Sequence, residues 1–207
     1  MRARDRLVFR LRTLWWKGAW GLATKMVCRR IEVTGLGSVP DGPVVFAANH
    51  GSHADTVVLQ LVFAGAGRDD VLTAGAADYF FRARMLSGFA RFIGVFPFPK
   101  HGEEGVRRSR AALAAGWSVL IYPQGTRDGG PFRAGVARVA RETAPVVPVH
   151  ITGTTKVLPK GRRVPRRSPI TVRFGHPLAV APTEPDSAFA RRLECAVFGP
   201  APHREPA

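Results

Sequence analysis

Two segments of the chain carry side chains whose types and spacing suit acid–base chemistry or anion binding. The first runs from Asn49 to Asp55 and reads NHGSHAD. It follows the apolar run 44–48, which predicts a buried strand. Functional groups of α/β folds gather where strands reach the carboxyl edge of the sheet. There, a carboxylate on one nitrogen of His50 would fix the tautomer and leave the other nitrogen free to take a proton from a hydroxyl.

The same segment has two other interpretations. Ser52 and Asp55 match a helix capping box in which Asp replaces the usual Glu or Gln. Asp55 would then only satisfy backbone N–H groups. Alternatively, His50, His53 and Asp55 would bind a metal ion, although the segment lacks the H-x-H-x-D-H spacing of metallo-hydrolases. Residue types alone leave catalysis and capping equally open, and they predict no metal ion.

The second segment, residues 122–130, reads YPQGTRDGG and also follows a predicted strand. Its Gly125–Thr126 turn exposes backbone N–H groups and a hydroxyl. Arg127 adds a planar guanidinium that can bind a phosphate through two hydrogen bonds. The alternative is an ordinary glycine-rich loop with a solvated arginine, and a Gly-Thr-Arg tripeptide alone does not decide between the two.

The elements that would position these segments form an α/β pattern. The predicted strands cover 44–48, 71–74, 95–98, 118–122, 146–151 and 170–174. The predicted helices cover 54–65, 80–93, 103–115, 135–143 and 184–197. Strands that alternate with helices predict a mostly parallel sheet flanked by helices. We divide the chain into an N-terminal segment 1–30, one domain over 31–198 and a disordered tail 199–207.

Residues 5–28 predict an amphipathic helix, because their apolar side chains recur near one face. Within residues 1–30 there are nine Lys or Arg and one acid, with tryptophans at 15, 16 and 20. Indole rings and cations on one helix suit the interface of an anionic membrane. The alternative is a helix that packs its apolar face on its own domain. Cations interrupt the apolar residues too often for a membrane span, so we expect peripheral attachment.

The formal net charge of +16 calls for an anionic partner, or reflects only the codon usage of a GC-rich genome. A membrane, a phosphorylated substrate and nucleic acid all fit the charge. No zinc-finger, RRM or KH signature is present, so we expect no nucleic-acid partner. Two cysteines without metal-type spacing imply no disulfide framework. The acid-free run 156–167 is either a solvated loop or a second contact with a membrane or carrier protein.

Taken together, the two segments resemble the glycerolipid acyltransferase family typified by 1-acylglycerol-3-phosphate acyltransferases. The family pattern N-H-x-x-x-x-D is matched by Asn49, His50 and Asp55. Its F-P-E-G-T-R pattern is matched by residues 122–127, and its intervening glycine and apolar strand by residues 94–100. Further similar segments are VPV at 147–149, LPKG at 158–161 and FGHPL at 174–178.

The resemblance implies an acyltransferase domain over 31–198, with His50 as general base and Asp55 as its orienting partner. The donor would be acyl-CoA or acyl carrier protein, and the acceptor a lysophospholipid, first of all 1-acylglycerol-3-phosphate. No metal or other cofactor is implied. The protein would work on the cytoplasmic face of the cell membrane as a peripheral enzyme. The residues expected to bind the substrate are Asn49, Lys100, Gln124, Gly125, Thr126 and Arg127.

Two positions depart from the family pattern. Gln124 stands where the family has Glu, which keeps the shape and removes the charge. Lys100 stands where the family has Arg, which keeps the charge and removes the planar fork. We expect both changes to concern the acceptor pocket and not the His50–Asp55 pair. They leave a different acceptor open, and a metal-dependent hydrolase or a basic nucleic-acid-binding protein as more distant alternatives.

Overall fold

The computed structural model describes residues 28–52, 54–76, 95–98, 103–127, 129–157 and 166–199, together with Gly18. Several features predicted from the sequence lie outside these residues. They are the amphipathic helix up to residue 27, His53, the helix over 80–93, Lys100, most of the basic run 156–167 and the tail after Gly199.

The described residues form seven strands and five α-helices. The strands are β1 (Cys28–Thr34), β2 (Val45–Ala48), β3 (Val71–Ala76), β4 (Val95–Phe98), β5 (Ser118–Ile121), β6 (Val146–Thr152) and β7 (Ser168–Phe174). The helices are α1 (Ala54–Gly65), α2 (Glu104–Ala114), α3 (Gly135–Ala140), α4 (Thr154–Val157) and α5 (Asp186–Phe198). A short 3-10 turn covers Leu36–Ser38.

The strands form one sheet in the order β1-β7-β6-β2-β5-β3-β4. Strands β2 to β6 pair in parallel with one another, β7 is antiparallel to β6, and β1 is parallel to β7. The predicted α/β fold with a mostly parallel sheet is therefore confirmed. Strands β2 and β5 are neighbours in register, with Ala47 beside Ile121. Because parallel strands end at one edge of the sheet, the two chemistry-bearing segments meet there.

Helices cover both faces of the sheet. Alternate residues of β2 point to opposite faces, as the pleat requires: Phe46 packs with α1, and Val45 packs with α2, α3 and α5. The rings of Phe46 and Phe63 lie 4.5 Å apart in the first of these cores. All four residues of β2 are fully buried, which explains its unbroken apolar run. The turn after β2 is thus anchored to a rigid central strand.

The first strand was not predicted. Cys28, Arg29 and Arg30 open β1, which corrects the helix predicted to reach residue 28 and the domain boundary placed at residue 30. The segment CRRIEVT lacks the unbroken apolar run of a buried strand, and its Arg30 and Glu32 are exposed. Its strand conformation depends on pairing with β7, where Cys28 lies beside Ser168. The short helix α4 was also missed.

Within the part of the chain that the structure describes, no helix combines the length and apolarity that crossing a membrane requires.

Candidate active site

Asn49 anchors the turn that leaves β2. Its side-chain Nδ2 donates to the carbonyl oxygen of Ile151 at 2.9 Å, and its Oδ1 accepts from the Ile151 N–H at 2.7 Å. The pairing of β2 with β6 ends at Ala48 and Val149, so the Asn49 amide continues the ladder through a side chain. These two hydrogen bonds to the backbone of Ile151 fix the position of the chain just before His50. Whether Asn49 also contacts substrate, as the sequence predicts, stays a prediction.

His50 is held by a buried carboxylate. Its Nδ1 lies 2.9 Å from Oδ2 of Asp55, which stands in the first turn of α1. The Asp55 side chain is 1% exposed and that of His50 is 18% exposed. An ionised carboxylate only accepts, so this contact requires the hydrogen on Nδ1, and in the neutral imidazole Nε2 then keeps its lone pair. The pair can therefore take a proton from a hydroxyl through Nε2.

The same Asp55 oxygen also caps the helix. Oδ2 accepts from the backbone N–H groups of Gly51 and Ser52, both at 2.8 Å. Capping and imidazole orientation, which the sequence left as alternatives, are therefore compatible functions of one oxygen. The other oxygen, Oδ1, is buried and has no hydrogen-bond partner among the described residues.

Tyr122 forms one wall of the site. Its ring stacks on the His50 ring, with centroids 4.2 Å apart and planes 23° from parallel. Its hydroxyl is 2.9 Å from Oγ1 of Thr56 on α1. Burial raises the pKa of the Tyr122 hydroxyl, and the Asp55 charge raises it further. Tyr122 is therefore an uncharged aromatic wall that limits the rotation of the imidazole. The sequence had predicted no role for Tyr122 itself.

Gln124 connects the two segments. Its Oε1 accepts from the backbone N–H of His50 at 2.8 Å, and its Nε2 donates to the Gly130 carbonyl at 3.3 Å. These contacts correct the expectation that Gln124 would concern only the acceptor pocket, because it holds the His50 turn directly. A glutamate could accept from His50 but could not donate to Gly130. Its predicted contact with substrate stays a prediction.

The Gly125–Arg127 turn is built around a left-handed glycine. Gly125 has φ +69° and donates its N–H to the Tyr122 carbonyl at 3.0 Å. The Thr126 hydroxyl donates to the Gly129 carbonyl at 3.3 Å. The Arg127 side chain is exposed and has no hydrogen bond or ion pair with any described residue. Of the three predicted phosphate-binding residues, Arg127 is therefore the one whose side-chain donors are not used by any described residue.

Arg133 closes the same loop and was missed by the sequence interpretation. A Cβ added to Gly125 would lie 3.1 Å from Cζ of Arg133 and 3.2 Å from its Nη1. The guanidinium thus lies directly against the Gly125 backbone. The only sequence signal was a basic residue shortly after the glycine-rich segment, which is common and weak.

No three His, Cys, Asp or Glu side chains of the described residues come close enough together to hold a metal ion. His53, one of the three ligands in the metal alternative, lies outside those residues.

Comparison with known proteins gives concordant matches. The chain is 30% identical over 143 residues to the chloroplastic 1-acyl-sn-glycerol-3-phosphate acyltransferase BAT2 of Brassica napus, covering 64% of this chain and 40% of the relative. The Arabidopsis thaliana enzyme LPAT1 is 31% identical over 143 residues, covering 64% of this chain and 38% of the relative. The chain thus spans about 40% of the length of these two curated relatives.

The fold has a solved counterpart. The 1-acyl-sn-glycerophosphate (LPA) acyltransferase PlsC of Thermotoga maritima superposes with a TM-score of 0.69 at 20% identity, covering 95% of this chain and 81% of that one. The family model described as Acyltransferase matches residues 30–152, which is more than half of the chain and includes both site segments. From this match, the chain belongs to the acyltransferase family.

Proposed function

We propose that this protein transfers a fatty acyl group from an acyl-CoA or acyl carrier protein thioester to the free hydroxyl of 1-acylglycerol-3-phosphate. The observation that carries the proposal is the 2.9 Å contact of His50 Nδ1 with buried Asp55, one hydrogen bond from the loop that bears Arg127. Relatives that share this domain carry the name of this activity, which supports the acceptor.

In the proposed reaction, His50 acts as the general base. Its Nε2 takes the proton of the acceptor hydroxyl as the oxygen attacks the thioester carbonyl. The tetrahedral intermediate then collapses, the carbon–sulfur bond breaks, and the leaving thiolate receives the proton from the imidazolium. The Asp55 carboxylate stabilises the imidazolium between these two steps. No metal ion or other cofactor takes part in this scheme.

Arg127 is proposed to bind the acceptor phosphate. A guanidinium forms two parallel charge-assisted hydrogen bonds with phosphate oxygens, and the Arg127 side chain has no described protein partner that would compete. Lys100, in the segment outside the described residues, is proposed as a further phosphate contact. In this arrangement Gly125 and Thr126 shape the turn that carries Arg127.

The activity is tested with the purified protein, labelled acyl-CoA or acyl carrier protein, and a panel of lyso-lipids analysed by mass spectrometry. Lysophosphatidate should be converted to phosphatidate by the wild type and not by His50→Ala. Release of free fatty acid, with activity lost in a chelator, would instead support the metal-dependent hydrolase. Transfer only to neutral or zwitterionic lyso-lipids would support a family member with a different acceptor, which the changes at Gln124 and Lys100 also permit.

We also propose that residues 1–27 attach the enzyme peripherally to an anionic membrane on its cytoplasmic face. Each cation near such a surface contributes about 1 kcal/mol, and the tryptophans suit the headgroup region. Deleting residues 1–27 should therefore prevent flotation with anionic liposomes. Flotation of the truncated protein at the wild-type level would contradict this anchor.

A further inference from the structure

Arg133 is held in place at its backbone, whereas its exposed guanidinium has no partner among the residues that the structure describes. Its N–H donates to the Pro123 carbonyl at 3.0 Å. The preceding residue, Phe132, is 6% exposed, and its N–H donates to Glu194 at 3.4 Å. Residues on both sides of Gly125 are thus connected across the loop. The Arg133 side chain therefore starts from a defined position and is not a loosely attached surface cation.

The Arg133 guanidinium has no acidic partner among the described residues. It makes no hydrogen bond or ion pair with any residue that the structure describes, and the same holds for Arg127. Among the described residues, the arginines with a recorded ion pair to Asp or Glu are Arg30, Arg68, Arg107, Arg108, Arg138, Arg141 and Arg192. Asp128, which lies between them in the sequence, is outside the described residues. Two guanidinium groups on one loop without a described acidic partner favour binding of an anion, because a bound anion offsets their repulsion.

The position of Arg133 and the backbone conformation both favour glycine at residue 125. A Cβ there would come within 3.1–3.3 Å of three guanidinium atoms, and the φ of +69° already disfavours other residues. The missing side chain lets Arg133 lie flat against the turn. The guanidinium donors therefore lie against the turn at Gly125, which is two residues before Arg127 in the chain.

We propose that Arg133 is a second phosphate-binding residue of this site and that, with Arg127, it holds the phosphomonoester of the acceptor. This inference rests on the proposed acyl transfer to lysophosphatidate. In that acceptor, the reacting hydroxyl and the phosphate are on adjacent glycerol carbons, so the phosphate must bind close to His50. The loop meets this requirement, because Gln124 bonds the His50 backbone at 2.8 Å. The alternative source of phosphate is the donor, coenzyme A.

Steady-state kinetics of Arg133→Gln, Arg133→Lys and the wild type separate these two sources. The control is Arg191→Gln, at an exposed arginine of α5. We expect Arg133→Gln to raise KM for lysophosphatidate about tenfold or more, as the loss of a charge-assisted hydrogen bond does. KM for acyl-CoA should change less than about twofold, and Arg133→Lys should recover part of the loss because it keeps the charge.

The proposal is overturned if Arg133→Gln behaves like Arg191→Gln, or if only KM for acyl-CoA rises. Direct binding of glycerol 3-phosphate, measured by calorimetry, separates its failure from that of the proposed function. If the wild type does not acylate lysophosphatidate, the proposed function fails. Phosphate binding by Arg133 then stands if Arg133→Gln weakens glycerol 3-phosphate binding, and it falls if the two proteins bind equally.

Discussion

The His50–Asp55 turn and the Gly125–Arg133 loop lie side by side but are built differently. In the turn, His50 is fixed by three contacts: Asp55 binds Nδ1 of its ring, Gln124 accepts from its backbone N–H, and the Tyr122 ring stacks on one face of the imidazole. In the loop, two exposed guanidinium groups have no described partner. The proposed proton-transfer group is therefore preorganised by the protein, whereas the proposed anion-binding groups would be neutralised by a ligand.

This contrast has a physical reason. A general base must have the correct tautomer and orientation before substrate arrives, and small misplacements are costly. A phosphate brings its own charge and acceptors, so arginines that bind it need no internal partner. We therefore expect substitutions in the turn to affect kcat and stability, and substitutions in the loop to affect acceptor binding with little effect on stability.

The largest expected effect is at the base. His50→Ala should lower kcat roughly 10²–10⁴-fold, because general-base catalysis contributes that much. Asp55→Asn should cost less, because the amide keeps an acceptor for the Gly51 and Ser52 N–H groups and loses only the charge. The exposed His176→Ala serves as the control. Equal losses at His50 and His53 in steady-state assays would contradict the base and revive the metal alternative.

A smaller effect is expected at Arg127, the exposed arginine of the loop. Arg127→Ala should lower kcat/KM for lysophosphatidate by more than about tenfold, because charge-assisted hydrogen bonds are worth roughly 1.5–3 kcal/mol. Its thermal unfolding should match the wild type, since the side chain has no described partner. Glycerol 3-phosphate should also inhibit transfer competitively. Full activity of Arg127→Ala without such inhibition would remove the phosphate pocket.

Gln124 belongs to both regions, so restoring the family's glutamate sharpens the boundary between them. In Gln124→Glu the new carboxylate still accepts from the His50 N–H, but it has no hydrogen to donate to the Gly130 carbonyl. We expect a loss of about 1–3 kcal/mol in the free energy of unfolding, typical of a buried group left unpaired. Denaturant unfolding, compared with Gln124→Met, measures it. A stabilised Gln124→Glu protein would mean that the loop does not need the Gly130 bond.

The smallest effect is expected at the stacked wall. Tyr122→Phe keeps the ring on His50 and removes only the hydroxyl contact with Thr56. The free energy of unfolding should therefore fall by about 0.5–1.5 kcal/mol, and kcat should change little. Tyr122→Leu removes the stacking ring and should lower kcat further. Inactivation by Tyr122→Phe would show that the hydroxyl takes part in the reaction and that the wall is not merely steric.

Most of the parallel sheet could be predicted from local pattern. The apolar runs that became β2 and β5 are recognisable because strands buried on both faces admit few polar residues. The predicted helix over 54–65 matches α1 at both ends. In contrast, β1 lacks such a pattern, because it lies at the edge of the sheet and becomes a strand through its pairing with β7.

The same distinction holds within the site. His50 and Asp55 are five residues apart, so residue spacing already indicated their contact, and the structure shows it at 2.9 Å. The contact of Gln124 with His50 and that of Asn49 with Ile151 join residues 74 and 102 positions apart. No local pattern encodes such pairs, because they exist only once neighbouring strands are aligned in the sheet. The position of Arg133 against Gly125 was likewise decided by the folded loop. A glycine in the sequence indicates that a side chain is absent there, but not which neighbouring side chain occupies the space.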